Sequence, residues 1–475
     1  MHKYTTFSAR CSLVAVGLLI HRLGIWPVVE KWVHIQQKTV THTPLEKLLD
    51  AFINILAGGQ GLCEVNTRVR PDRALQRAFG RARCADQSQV SRTLNCCEAQ
   101  NVIEMRQVNK ETYQAHSAGC RHNYSQHWQV LDVDTSGLPA GEQGEQVTKG
   151  YFSGHRGRRG RQLGRVWATL YEEVVVDCLN SGKIQLEKSF QQLVEMAEDI
   201  LDLDSARRER TILRFDASGG TDKHIDWALE RGYGILTKAK NWQRVRKLTQ
   251  SIEQWHDDPK VVDRQFAWVP EPHGYVRATR QLAVRRKDKK GAWKVRILVT
   301  SVDNATLLWL ASQPFRKEPR PIDIMCALIY AYDLRGGGVE TSMKGSKQGL
   351  GITKRNKRSF HAQEMLVLLA QLAGNVIAWT RHELARHLES WQAFGNLRMV
   401  RDLFQIPGKV QLDAQGHILS ITLNRDHVHA AKFLAGIAPA LSGNNLVLNL
   451  RKTSLSRRLC LKKLMIRYIC RKAYT

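Results

Sequence analysis

Apolar positions in the first third of the chain repeat every three or four residues. Leu45, Leu48, Leu49, Phe52, Ile53 and Leu56 form one such stripe, which predicts a helix stopped by Gly58-Gly59. A second helix fits residues 71–80, with proline near its start and glycine past its end. In Ser88-Gln89-Val90-Ser91-Arg92-Thr93-Leu94, small polar donors and an arginine gather at a helix start. Such a segment contacts phosphates through hydroxyls and backbone N–H groups, or simply caps a helix with a solvated face. Residues 12–20 are apolar, but His21 and Arg22 end the run short of the roughly 20 residues of a membrane span. They read as the first core helix of a helical domain over residues 1–128.

The period changes at Val130. Val130-Leu131-Asp132-Val133-Asp134 is a short apolar strand with acids at alternate positions, and residues 166–176 form another strand rich in valine and aromatics. A helix follows over 186–203, then a strand at Ile212-Leu213-Arg214-Phe215, a helix over 224–232 and a strand over 234–238. Strands alternating with helices predict an α/β sheet. Residues 241–319 interrupt the alternation with strands at 266–269, 276–286 and 293–301, a β-rich insertion. Helical spacing resumes at Ile324, and a long apolar helix covers 362–379. Beyond Pro407, residues 409–412 and 417–423 predict a hairpin, closed by a helix over 427–441. The units that result are 1–128, 129–240, 241–319, 320–385 and 386–475.

Charge narrows the choice of partner. The 475 residues carry 72 Lys+Arg against 44 Asp+Glu, a net +28, which favours a polyanion over a neutral metabolite. Nine Lys/Arg and no acid lie in the tail from 451 to 475. Much of the remaining positive excess falls in three runs: around Arg158, Arg159, Arg161 and Arg165; along 277–296; and around Arg355 and Arg358. Ten cysteines are too sparse for a disulfide scaffold, and the spacing of Cys120, His122 and His127 is wrong for a zinc finger. They read as reduced intracellular thiols. No segment supports a membrane partner.

Three acids stand in surroundings that suit catalysis. Asp134 ends an apolar strand and precedes Thr135-Ser136-Gly137; Asp216 ends the next and precedes Ala217-Ser218-Gly219-Gly220. Acids at the carboxyl ends of strands, followed by small residues, lie where α/β sheets bind ligands. Magnesium prefers a few carboxylates completed by water and phosphate oxygens. Asp132 shares a strand face with Asp134 and is the rival first acid. The third acid is Glu340, in Tyr332-Asp333-Leu334-Arg335-Gly336-Gly337-Gly338-Val339-Glu340. On a helix beginning near Val339, Lys344 and Lys347 share the glutamate's face. That pattern serves phosphodiester chemistry or an ordinary surface ion pair.

Taken together, Asp134, Asp216 and Glu340, with Tyr-x2-Arg before the glutamate and Glu-x6-Lys after it, resemble the DDE transposases of bacterial insertion sequences. Within these the chain resembles the group with a Tyr-Arg-Glu-Lys signature and a β-rich insertion before the glutamate. Gly150-Tyr151-Phe152, Gly160-Arg161-Gln162-Leu163-Gly164-Arg165 and the Ala362-Gln363 helix extend the likeness. The resemblance implies a ribonuclease H-like mixed sheet flanked by helices, with an N-terminal helical DNA-end-binding domain. It makes Asp134, Asp216 and Glu340 the ligands of two divalent ions, Mg²⁺ or Mn²⁺. Tyr332, Arg335 and Lys347 match the accompanying signature, and Thr-Ser after Asp134 favours it over Asp132. One departure leaves the arginine's register open: four residues, three of them glycine, separate Arg335 from Glu340 where the family has three. The implied activity is cut-and-paste transposition: cleavage at terminal inverted repeats, then joining of 3′-OH ends to target DNA, by a dimer holding two ends. Tyr332, Arg335, Lys344, Lys347 and the arginines of the basic runs would meet DNA, and Trp242 or Trp268 would stack a flipped base at a hairpin end. A cytoplasmic, nucleoid-associated protein is expected. A non-catalytic DNA-binding derivative and a nuclease without strand transfer are the other readings.

Overall fold

Thr43 opens the helix Pro44–Leu56 with a capping box: its side chain accepts from the Glu46 N–H while the Glu46 carboxylate accepts from the Thr43 N–H. Gly58, at φ +75°, then ends the helix in a conformation that favours glycine. The structure, a computed structural model, describes residues 3–152, 155, 157–312, 318–386, 388–442 and 446–452. A first strand, β1 (Tyr4–Ser8), precedes helices Cys11–Arg22, Ile25–Trp32, Pro44–Leu56, Arg73–Ala78, Gln87–Asn95 and Ala99–His116. Leu13, Val14 and Val16 are fully buried, so the apolar run at 12–20 is core.

The main sheet is built on β2 (Gln129–Pro139), with β3 (Thr148–Lys149), β4 (Arg159–Ala168), β5 (Glu173–Ser181), β6 (Thr211–Phe215) and β7 (Gly234–Lys238). Residues 166–176, expected as one strand, turn over at 169–172 and belong to the hairpin β4–β5, paired antiparallel. β6 joins β2 in parallel and β7 joins β6 in parallel. The insertion contributes β8 (His256–Asp257), β9 (Arg264–Trp268), β10 (Arg280–Lys287) and β11 (Trp293–Thr300), and β11 pairs with β7. The insertion therefore continues the same sheet, in the order β3-β4-β2-β6-β7-β11-β10-β9-β8, with β5 on β4.

β5 would be an open edge, and the long helix Phe360–Ala385 closes it. Asn375 exchanges two hydrogen bonds with the Val174 backbone at 2.8 and 2.9 Å, and Gln371 donates to the Val175 carbonyl at 3.1 Å. This helix is long and apolar enough to cross a membrane, but its most apolar stretch is wholly buried here between the sheet and the N-terminal helices. β12 (Gly408–Leu412), β13 (Ile418–Asn424) and β14 (Val447–Arg451) form a second sheet with β1. β1 and β14 were not expected from the sequence, and the basic tail from 453 lies outside the described residues.

Candidate active site

Strand register brings the first two acids together. Val133 on β2 pairs with Phe215 on β6, so the next residues on these neighbouring parallel strands are Asp134 and Asp216. One Asp134 carboxylate oxygen accepts from the Thr135 N–H at 2.7 Å, and Asp216 accepts from the Ser218 N–H at 2.8 Å. Both line a cavity of about 530 Å³ with Ser136, Gln162, Glu187 and Lys240. Burial pushes the Asp134 carboxyl up to about 6; Arg335 opposes this and the like charge of Asp216 adds to it.

Asp132 does not reach that cavity. It is fully buried and paired with Arg214, its partner in the β2–β6 register, at 2.5 and 2.8 Å, and it accepts from the Thr169 hydroxyl at 2.7 Å. Its oxygens are committed to the core.

Glu340 ends a π turn, Gly336–Glu340, that joins the helix Pro321–Arg335 to the helix Thr341–Gly349. The expected helix start near Val339 is therefore shifted by this wider turn. A π turn spans one residue more than an α turn, so the extra residue between Arg335 and Glu340 is absorbed without separating them. Gly338 permits the bend: a Cβ there would lie 2.7 Å from the buried Asp132 carboxylate. Arg335 donates to Asp134 at 2.9 Å and to Glu340 at 2.8 Å. Burial disfavours its charge, but Asp134, Tyr332, Asp216 and Glu340 together raise the guanidinium above its ordinary value. Glu340 thus joins the pair through an arginine, and its side chain is 55% exposed against 13% for Asp134.

Tyr332 is buried, its hydroxyl meets the hydrogen-bond criteria with no group among the described residues, and the Lys238 ammonium sits 4.6 Å from its ring centroid. Burial raises the Tyr332 phenol and lowers Lys238. Lys238 was missed from the sequence, although its place at the end of a parallel strand beside Asp216 was the available signal. Lys347, its charge disfavoured by burial and by Arg165, donates to the Ser136 hydroxyl at 2.5 Å. Lys344 instead lines a separate cavity of about 390 Å³ with Gln348, Asn396 and Arg398, whereas Lys347 reaches Ser136, which lines the cavity of the two aspartates.

The arginine runs divide on burial. Arg165 is 1% exposed, grips Asp177 at 2.6 and 2.7 Å, and donates to Ser342 at 2.7 Å and Ser346 at 3.1 Å. It anchors the helix after Glu340 to the sheet. Arg161 donates to the carbonyls of Glu145, Lys357 and Arg358, and Arg355 to those of Leu350 and Gly59. Arg161, Arg165 and Arg355, expected to meet DNA, are instead buried and hydrogen-bonded to groups inside the fold. Arg158 and Arg358 are exposed, and Arg159 pairs with Glu142 at 3.0 Å. Trp242 is 68% exposed, whereas Trp268 packs partly into the core beside Arg280.

No three His, Cys, Asp or Glu side chains among the described residues converge as a ready metal cluster. The Asp134–Asp216 pair nevertheless suits a divalent ion completed by water and phosphate: hard oxygens at a cavity wall, and one carboxyl destabilised by burial and its neighbour.

The family described as "Transposase DDE domain group 1" matches residues 6–439, and the chain belongs to it. It is a DDE transposase. No curated protein matches the chain. Among solved structures, it is similar to a cryo-EM structure of the piggyBac transposase synaptic complex with hairpin DNA. That match has 10% identity and a TM-score of 0.46, over 94% of this chain and 84% of that one.

Proposed function

We propose that this transposase cuts the ends of its element by divalent-metal-dependent phosphodiester hydrolysis and joins the 3′-OH ends to target DNA. The observation that carries the reading is the placement of Asp134 and Asp216 at adjacent carboxyl ends of parallel strands, with Glu340 tied to them through Arg335. The strand order β5-β4-β2-β6-β7, antiparallel on one side of β2 and parallel on the other, supports a ribonuclease H-like core. Asp134 and Asp216, with Glu340 brought in, would hold two Mg²⁺ or Mn²⁺ ions. When bound, such ions activate water or a DNA 3′-OH and stabilise the leaving oxygen.

The chain's own cations do the rest. Lys347 and Lys238 flank the acids and neutralise a scissile phosphate; burial has already disfavoured their charge, so a phosphate partner relieves them. Lys344, Arg158 and Arg358 track the flanking DNA backbone, and of Trp242 and Trp268 it is the exposed Trp242 that is free to stack a base. Two copies would hold two ends.

The test is incubation with DNA carrying the element's terminal repeats and Mg²⁺. The reading expects nicking followed by joined product, with both lost in Glu340→Gln. Binding without Mg²⁺-dependent nicking would instead identify a DNA-binding derivative, and nicking without joining a nuclease.

A further inference from the structure

We propose that Arg335 holds the place of a divalent cation, keeping Glu340 bound to Asp134 until DNA arrives and draws the guanidinium away. The inference rests on the metal-dependent reading above. One guanidinium nitrogen lies 2.9 Å from Asp134 and another 2.8 Å from Glu340, so a single positive group bridges two of the three acids. Its side chain is 9% exposed and has no other ion-pair partner among the described residues. One oxygen of each of these two carboxylates is therefore occupied by an N–H donor of the same guanidinium. A divalent ion using those oxygens meets a like charge beside them, and the guanidinium must turn away as the ion enters.

The segment between the partners is built for such an exchange. Arg335 and Glu340 stand on opposite ends of a π turn containing Gly336, Gly337 and Gly338. A Cβ on Gly337 would meet nothing within 4 Å, and Glu340 is half exposed, so the carboxylate has room to be handed over. A DNA phosphate is the acceptor best matched to the released guanidinium, because two parallel N–H donors fit two phosphate oxygens. Arg335 is thus a positioning residue that couples two ligands: phosphate binding frees the carboxylates for metal, and metal binding frees the arginine for phosphate. By linkage the two couplings are equal.

The experiment is Mn²⁺ binding to the full chain, followed by electron paramagnetic resonance of the free ion, with and without a duplex carrying the terminal repeat. Wild type, Arg335→Gln, Arg335→Lys and Asp216→Asn are compared. Without DNA, Arg335→Gln is expected to bind Mn²⁺ about tenfold more tightly than wild type, a factor typical of coupled sites. DNA should tighten Mn²⁺ binding in wild type and leave Arg335→Gln unchanged. Arg335→Lys keeps a cation in the turn and should stay near wild type, which separates lost competition from damage to the fold. Wild-type binding that weakens in Asp216→Asn but is not tightened by Arg335→Gln overturns this inference and leaves the metal site standing. Absence of Mn²⁺ binding in every variant overturns both.

Discussion

Arg214 grips Asp132 across the β2–β6 pair, with Nε 2.5 Å from one carboxylate oxygen and a terminal nitrogen 2.8 Å from the other. Two residues along the same strand face, Asp134 opens instead into the cavity it shares with Asp216. Removing one member of a buried pair strands the other's charge, at a cost of about 3–5 kcal/mol. Asp132→Asn should therefore lose roughly that much stability in urea unfolding. Asp134→Asn should remain folded and lose Mg²⁺-dependent nicking. The reverse pattern would make Asp132 the working acid.

Gly338 lets the π turn pass over that same ion pair. A methyl group there would sit 2.7 Å from the Asp132 carboxylate, so Gly338→Ala must displace either the turn or the pair. The expected loss is about 1–3 kcal/mol, the usual cost of overpacking, together with lower nicking because Glu340 moves with the turn. Gly337→Ala, with open space around it, should be close to neutral in thermal unfolding. Equal effects at the two glycines would contradict the packing described.

The basic runs predict two different phenotypes. Arg158→Ala and Arg358→Ala should each lower the slope of log K for DNA against log salt by about 0.9, as expected for one lost phosphate contact. Arg161→Ala should leave that slope alone and lower the melting temperature, because its donors bind the carbonyls of Glu145, Lys357 and Arg358. A slope change in Arg161→Ala would show that it reaches DNA after all.

His382 supplies a pH dependence unrelated to the acids. Its ring nitrogen faces the Arg381 guanidinium at 3.3 Å, and burial, with Arg381 and Arg386, holds the imidazole down at about 4. The unfolded chain takes up this proton near 6.5, the folded chain only near 4. This contribution to stability is complete above 6.5 and is lost as pH falls towards 4. Its size is about 2 kcal/mol after allowance for partial exposure. His382→Gln should flatten that part of the curve of denaturation midpoint against pH, and an unchanged slope would rule the contribution out.

Much of this site was legible because its signals are local. Apolar alternation around Val130–Asp134 and before Asp216 marks strands whose ends carry acids, whatever those strands pair with. Lys238 and the closure of β5 by Asn375 were not legible, since each depends on a partner more than ninety residues away or on another strand.

The sequence by itself determined the alternation of strands and helices, the excess of positive charge, and the small residues that follow Asp134 and Asp216 at strand ends and precede Glu340. These follow from periodicity and residue chemistry, which do not need the rest of the chain. Tertiary structure alone decided that Asp132 is sealed in the core against Arg214 while Asp134 lines the cavity shared with Asp216. It also set Lys347 on Ser136 while Lys344 lines another cleft, and it buried Arg161, Arg165 and Arg355 inside the fold. The reason is that burial and partnership belong to pairs of distant residues: an arginine is written the same way whether it meets solvent, a carbonyl or a carboxylate. The extra glycine before Glu340 shows the same division, visible as a count in the sequence and meaningful only once the π turn brings Arg335 and Glu340 back together.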